Sequence, residues 1–309
     1  MTDFTAAKDP PNLSVSWLHG QPRRGAVDEA PLQVHHVSEH TVMLRQSKVL
    51  TYEAPFIYLF FGDHTALLLD TGAVKDSSTM PLRTTVDALI ESWLRQHPHD
   101  DYRLIVAHTH GHADHVDGDA QFADRVNTTV VGKDVDSVVR FLGISRWPDE
   151  CVELDLGGRV LIVTGCPGHH DASIAIYDPW TRFLLTGDTV YPGRLYVNDV
   201  AAFVDSLDRL VAMAEQRPVS WVMGCHIEMT RTPGVDYPIG TRYQPDEPRL
   251  EMTVAQLRQV RDDARAIQDH PGVHVFDDVL IFNGRCISGV VRQLLRANGA
   301  RLRALVSRE

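Results

Sequence analysis

Three histidines and one aspartate stand within six residues of this chain, in the segment HGHADH at positions 110–115. Imidazole nitrogen and carboxylate oxygen are the usual protein ligands of zinc and of related transition metals. His110 and His112 alternate and can face one ion, whereas Asp114 and His115 continue the turn and can reach a second ion. The segment predicts a metal site. Since an isolated string of this kind can also be a solvated loop, the prediction depends on partners elsewhere in the chain.

In three further segments, a histidine or an aspartate that could bind a metal follows shortly after a short apolar run. His169 follows such a run at 160–163, Asp188 follows one at 183–185, and His226 follows one at 219–223. Loops at one end of a rigid sheet are where a protein scaffold presents a metal site. Four strand ends that carry the same chemistry therefore indicate one common site, although each alone would be a weak signal.

With these segments the chain resembles the metallo-β-lactamase-fold hydrolases over residues 42–226, and Asp70 matches the family's aspartate that supports the metal loop. The resemblance implies a ligand set shared between two metal ions: His110, His112 and His169 for the first, Asp114, His115 and His226 for the second, and Asp188 between them. The family often has PGHTxGS where this chain has PGHHDAS at 167–173. The preserved Pro-Gly frame favours His169 as the ligand over His170.

The resemblance also implies an architecture and a reaction. By this resemblance the fold is expected to be an α/β (α+β) four-layer αββα sandwich, and the protein is expected to be a dinuclear metallohydrolase. Two such ions would supply a hydroxide able to attack a small ester, lactone or thioester, and Asp114 is the expected catalytic residue that would orient the nucleophile or pass a proton. Zn²⁺ is the default ion, and Mn²⁺ or Fe²⁺ stays open because the ligands include no thiolate.

Two other classes of function stay open. One is a mononuclear iron sulfur dioxygenase-like oxidoreductase, whose relatives share much of the same pattern. The other is a non-catalytic ligand-binding protein on the same fold. The complete ligand set favours the hydrolase.

Candidate substrate-binding residues follow two of the ligands. Tyr191, Arg194 and Tyr196 come shortly after Asp188. An arginine there can pair with a substrate carboxylate, and a tyrosine can donate to a developing oxyanion. Packing and surface charge are the alternative interpretation of these three residues.

A stretch rich in proline and glycine runs from 227 to 248. Loops of this length in compact domains are commonly functional. Because it begins directly after a ligand, we interpret it as a substrate-facing flap that offers Arg231 as a further candidate. A surface crossover or an oligomer contact is the alternative.

Composition limits the classes of partner. The chain has 309 residues and a formal net charge of -11, which argues against a nucleic-acid groove. No apolar run approaches a membrane span, and residues 1–11 lack the apolar core of a signal peptide. The four cysteines are widely spaced, so they favour a reducing compartment, the cytoplasm, over a disulfide framework. We expect a small-molecule substrate, and a homo-oligomer stays open.

Local patterns divide the chain into an arm and one domain. Residues 1–31 predict an extended N-terminal arm anchored by Trp17 and Leu18, and residues 32–309 predict a metallo-β-lactamase-like domain with C-terminal helices. Strands are predicted at 41–44, 56–61, 65–69, 102–107, 128–131, 152–156, 159–163, 173–177, 183–185 and 219–223, and helices at 82–94, 134–142, 200–211, 250–267 and 290–295. Two strand-rich halves, each followed by helices, suggest two packed sheets with helices outside.

Overall fold

Two six-stranded sheets form the centre of the computed structural model, which describes residues 2–4, 10–22, 29–284 and 293. The first sheet contains, in spatial order, β1 (Leu32–Ser38), β2 (Thr41–Gln46), β3 (Phe56–Phe61), β4 (Thr65–Leu69), β5 (Arg103–Ala107) and β6 (Thr128–Val130). The second contains, in spatial order, β13 (Glu251–Met252), β12 (Trp221–Gly224), β10 (Phe183–Gly187), β9 (Ile174–Asp178), β8 (Val160–Gly165) and β7 (Cys151–Asp155).

A smaller sheet and five α-helices complete the described part of the chain. The smaller sheet has the order β11 (Arg194–Val197), β15 (Leu280–Asn283) and β14 (Gly272–Val275). The helices are α1 (Leu82–Leu94), α2 (Ala113–Val116), α3 (Val135–Leu142), α4 (Val200–Gln216) and α5 (Val254–Ala266). Each helix among the described residues is too short or too polar to cross a membrane.

The apolar strand β3 explains the layering of the fold. All six of its residues are buried, so both of its faces are covered. Alternate side chains of a strand point to opposite faces. One set lies in the core between the two sheets: Phe56, Tyr58 and Phe60. The other set packs in the core that includes α1: Ile57, Leu59 and Phe61.

The second sheet repeats this arrangement on its own outer face. Leu184 of β10 and Val222 of β12 lie in a core with Leu207 of α4 and Leu257 of α5. Both helices begin at side-chain N-caps, since Asp199 accepts a hydrogen bond from the Ala202 N–H and Thr253 forms a capping box with Gln256. The order of layers is therefore helix, sheet, sheet, helix, and the predicted four-layer αββα sandwich is confirmed.

The predicted strands are all present, with ends that differ by one or two residues. Five further strands were missed: β1, β11, β13, β14 and β15. The edge strand β1 mixes apolar and polar residues without a clear period, and β13 has only two residues. The parallel pairing of β11 with β15 joins distant parts of the chain, so no local pattern indicates it. Apart from residue 293, the predicted helix at 290–295 lies outside the described residues.

The N-terminal region contacts the core at Trp17. Its ring centroid lies 4.9 Å from that of Phe56, and the side chain packs against the core between the sheets. A single bridge joins Gly20 to Tyr243. The division of the chain at residue 31 stays a prediction.

Candidate metal centre

The predicted ligands lie at the carboxyl ends of strands that share one edge of the sandwich. His110 and His112 follow β5, His169 follows β8, Asp188 follows β10, and His226 follows β12. Strands β10 and β12 are parallel, as are β4 and β5, so their carboxyl ends meet at the same edge. The sheet framework therefore brings together side chains that are far apart in sequence.

Three imidazoles form the first ligand set. The Nε2 atoms of His110 and His169 each lie 3.0 Å from Nδ1 of His112. The three ring nitrogens can act together as ligands of one cation. Burial lowers the pKa of each of these imidazoles, which favours the neutral form that a metal requires.

Two imidazoles and two carboxylates form the second ligand set. Nε2 of His226 lies 3.2 Å from Nε2 of His115, 3.4 Å from Oδ2 of Asp114 and 3.4 Å from Oδ1 of Asp188. Burial opposes protonation of His226, but Asp188 and Asp114 outweigh it and raise its pKa to about 9. The carboxylates thus attract positive charge to this position.

Asp188 lies between the two sets. Its Oδ2 is 3.8 Å from Nε2 of His110 and 3.7 Å from Nε2 of His169, while its Oδ1 is 3.5 Å from Nε2 of His115. Oδ1 is buried without a hydrogen-bond donor. A buried carboxylate oxygen is costly unless a cation or a donor meets it. The residues present therefore fit a pair of divalent cations.

Hydrogen bonds from the ring nitrogens that face away from the proposed metal ions fix the orientation of two of the imidazoles. Nδ1 of His169 lies 2.7 Å from the backbone oxygen of Tyr196, and Nδ1 of His226 lies 3.0 Å from that of Glu53. Because a carbonyl only accepts, each Nδ1 carries a hydrogen, so in the neutral imidazole that a metal requires the lone pair of Nε2 faces the centre. Such partners orient metal ligands and set their tautomer.

Asp70 orients the imidazole of His115 in the same way. Its Oδ2 lies 2.9 Å from Nδ1 of His115, and its two oxygens accept the backbone N–H and the hydroxyl of Thr109 at 2.7 and 2.9 Å. Asp70 adopts a positive φ of 72° directly after β4. A strained backbone of this kind costs about 1–3 kcal/mol and is typical of functional sites.

A glycine brings β10 close to the metal loop. Gly187, the residue before Asp188, has a φ of 52°, and a Cβ atom there would lie 2.7 Å from Cβ of Thr109. Both the conformation and the contact exclude a side chain at this position.

The structure places His169, and not His170, in the ligand group. Nδ1 of His170 instead accepts the Ala172 N–H at 3.1 Å, and its ring centroid lies 5.1 Å from that of His112. His170 therefore lies beside the first set as a neighbour of a ligand.

A cavity of about 200 Å³ opens onto the ligands. Tyr191, Arg194 and Tyr196 line it, as predicted from their positions after Asp188. Sequence analysis missed the other lining residues, namely Tyr52, Glu53, Asn198, Glu228 and Ile239. Two of them, Glu228 and Ile239, lie in the stretch 227–248 that the sequence predicts as a substrate-facing flap, although neither residue was named there.

Arg231 was predicted to face the substrate, and its placement corrects this. Its side chain is 68% exposed and pairs with Asp246, with 3.3 Å between Nε and Oδ1. It lines two neighbouring cavities instead of the one at the ligands. The physical reason is a local turn in which Met229 bridges to Asp236, while the backbone N–H of Arg231 donates to the backbone oxygen of Asp246 at 3.0 Å and holds the residue against that segment.

Arg194 lines the cavity but is engaged by the protein itself. Its side chain is 2% exposed, and it forms ion pairs with Glu228 and Asp236. It also donates to the backbone oxygen of Tyr237 at 2.7 Å and to the hydroxyl of Tyr196 at 3.3 Å. The side chain thus fixes the cavity wall, and its donors are already in use.

Comparisons with known proteins agree with this geometry. Residues 50–226 match the family model of the Metallo-beta-lactamase superfamily, and the chain belongs to that superfamily. A curated relative, the hydroxyacylglutathione hydrolase of Brucella ovis, is 26% identical over 156 residues, which cover 50% of this chain and 58% of the relative. The chain thus matches little more than half the length of this relative.

Solved structures show the same fold. The DIM-1 metallo-beta-lactamase exposed to ceftazidime aligns with a TM-score of 0.51 at 15% identity, over 77% of this chain and 99% of that one. The metallo-beta-lactamase from Erythrobacter litoralis aligns with a TM-score of 0.50 at 14% identity, over 78% of this chain and 99% of that one. At such identities the likeness concerns the fold alone.

Proposed function

We propose that this protein is a metal-dependent hydrolase that cleaves a thioester or a related small carboxylic ester, including a lactone. The observation that carries the proposal is the pair of ligand sets joined by Asp188, whose two oxygens face different sets. Membership of the superfamily supports it. The thioester is favoured because a partial relative is named a hydroxyacylglutathione hydrolase.

Two divalent cations, zinc by default and manganese or iron as alternatives, would occupy the centre. The residues that would hold them are His110, His112 and His169, then Asp114, His115 and His226, with Asp188 shared. When bound, such ions polarise a carbonyl oxygen and make water more acidic. No nucleophilic side chain is needed for the reaction.

Asp114 is the proposed catalytic residue. It lines the cavity, and its side chain is 22% exposed, so it can contact a water molecule beside the substrate. Burial opposes its ionisation, but the hydrogen bond with His226 outweighs this and lowers the pKa of Asp114. The carboxylate therefore stays charged near neutral pH and can orient water or accept its proton.

Tyr196 is the proposed donor to the substrate. Because Arg194 donates to its hydroxyl oxygen, the hydrogen of Tyr196 remains for an acceptor in the cavity. Burial raises the pKa of Tyr196, so the hydroxyl keeps its hydrogen at neutral pH. A donor here can bind the oxygen on which negative charge develops.

A metal count combined with a substrate panel tests the proposal. Purified protein is analysed for metal and then assayed with a thioester, a lactone, a carboxylic ester and a phosphodiester. About two divalent ions per chain and hydrolysis without oxygen would support the hydrolase. One iron per chain with oxygen uptake would replace it with the dioxygenase, and bound substrate without turnover would favour a ligand-binding protein.

We also propose a reducing compartment, the cytoplasm, and a small-molecule partner. The described cysteines Cys151, Cys166 and Cys225 are free thiols, which supports the first part. The volume of the cavity supports the second part.

A further inference from the structure

Two carboxylates outside the proposed ligand sets line the cavity. Glu53 is half-buried, and its backbone oxygen accepts from Nδ1 of His226, which places it beside the second ligand set. Glu228 lies two residues after that histidine and also lines the cavity. A substrate that occupies the cavity therefore lies near these carboxylates.

The guanidinium at the cavity wall is not free to compensate for them. Among the lining residues that the structure describes, Arg194 is the one arginine or lysine, and it is held between Glu228 and Asp236. The side chains of these two acids are 14% and 2% exposed. A substrate carboxylate would have to displace one of them from the guanidinium and so break a buried ion pair, which is strongly unfavourable.

Glu228 and Asp236 carry two negative charges against the one positive charge of Arg194, so the wall has an excess of negative charge. Glu53 adds to this excess. A cation near a half-buried carboxylate gains a charge-assisted contact, whereas a second carboxylate meets like-charge repulsion. A wall of this charge favours a neutral or cationic group over an anionic one.

We infer that the leaving group of the substrate is neutral or cationic, and that the cavity discriminates against anionic leaving groups. This inference rests on the proposed function. In the reaction water adds to the carbonyl carbon, the carbon–sulfur bond breaks, and a carboxylate, a thiol and a proton are formed. Glutathione carries more carboxylate than ammonium groups and is a net anion, so its thioesters are predicted to be poor substrates here.

Matched acetyl thioesters test the inference. The leaving thiols are thiocholine, its neutral tert-butyl isostere, mercaptopropionate and glutathione; the first pair matches in shape, and each kcat/KM is divided by the rate constant of hydrolysis of the same ester by hydroxide in solution, which removes the difference in leaving-thiol acidity. We expect kcat/KM to be about five- to tenfold higher for the thiocholine ester than for its neutral isostere, and lower by a similar factor for the two anionic esters. Binding of the corresponding thioethers, measured by calorimetry, should show the same order of Kd.

Glu53→Gln supplies the variant, and Glu91→Gln supplies the control. Glu91 is exposed on α1, remote from the cavity, and undergoes the same chemical change. The ratio between the cationic ester and its neutral isostere should fall toward one in Glu53→Gln and keep the wild-type value in Glu91→Gln. The Kd ratio of the thioethers should change in parallel.

The outcomes separate the inference from the function on which it rests. Equal kcat/KM values for the cationic, neutral and anionic thioesters, or a higher value for the glutathione thioester, would overturn the inference while hydrolysis itself stands. If metal-loaded protein cleaves none of the thioesters, then the thioester assignment fails and the inference fails with it.

Discussion

Replacing Asp70 with asparagine should weaken the second ligand set while the first stays largely intact. Asp70 is fully buried, with Oδ2 at 2.9 Å from Nδ1 of His115 and Oδ1 at 2.7 Å from the Thr109 backbone N–H. Asparagine tolerates the positive φ of this position better than most residues do. The substitution therefore keeps the backbone and removes one charge and one acceptor.

The amide of asparagine cannot satisfy both neighbours. If its oxygen keeps the bond from Thr109, its NH₂ group faces Nδ1 of His115 and drives the imidazole hydrogen to Nε2, where the lone pair is needed. If the amide rotates, its NH₂ group opposes the Thr109 N–H. Either arrangement sets one donor against another and costs about 1–3 kcal/mol. We expect affinity for the second ion to fall about 10- to 100-fold.

Zinc titration against a competing chelator measures this change, with thermal unfolding as the check on the fold. Asp119→Asn is the matched control. Asp119 accepts from the Thr71 hydroxyl at 2.8 Å and lies 2.7 Å from Nε2 of His108, so it supports the same region without contacting a proposed ligand. Wild-type affinity for two ions in Asp70→Asn would refute the reasoning about the tautomer.

The strand ends that carry the proposed ligands could be predicted because their signals are local. Each ligand follows a short apolar strand, and the position of a strand within a sheet fixes where its end lies. Asp188 illustrates this, since β10 delivers it to the edge where β12 also ends. The order of strands and helices suggested two packed sheets, whereas the four layers came from the family resemblance; in the structure, alternate residues of the uniformly apolar β3 supply two different cores.

The cavity wall could not be predicted because it depends on contacts between distant residues. The carboxylates that engage Arg194 lie 34 and 42 residues further along the chain. Nearness in sequence to Asp188 indicated that Arg194 lines the cavity, but it gave no information on whether its donors were free. The same assumption failed for Arg231, which pairs with Asp246 and does not line the cavity at the ligands.

Three further substitutions probe the ligand sets and the core. Asp188→Ala should lower the metal count and abolish turnover while the fold persists, and full activity would contradict its bridging position. His170→Ala should keep the wild-type metal count, since His169 occupies the ligand group, and a collapsed count would reassign the ligand. Asp178→Asn should cost about 3–5 kcal/mol at neutral pH, because it breaks a buried pair with Arg159 at 2.6 Å. Burial opposes ionisation of Asp178, but Arg159 outweighs it and lowers the pKa below the usual 3.8. The pair therefore contributes its full stability above that value and loses it as the pH falls through the folded-state pKa. Urea unfolding at a series of pH values should show a shallower acid-side loss of stability in Asp178→Asn than in wild type, and parallel curves would exclude this pair as a source of the acid sensitivity.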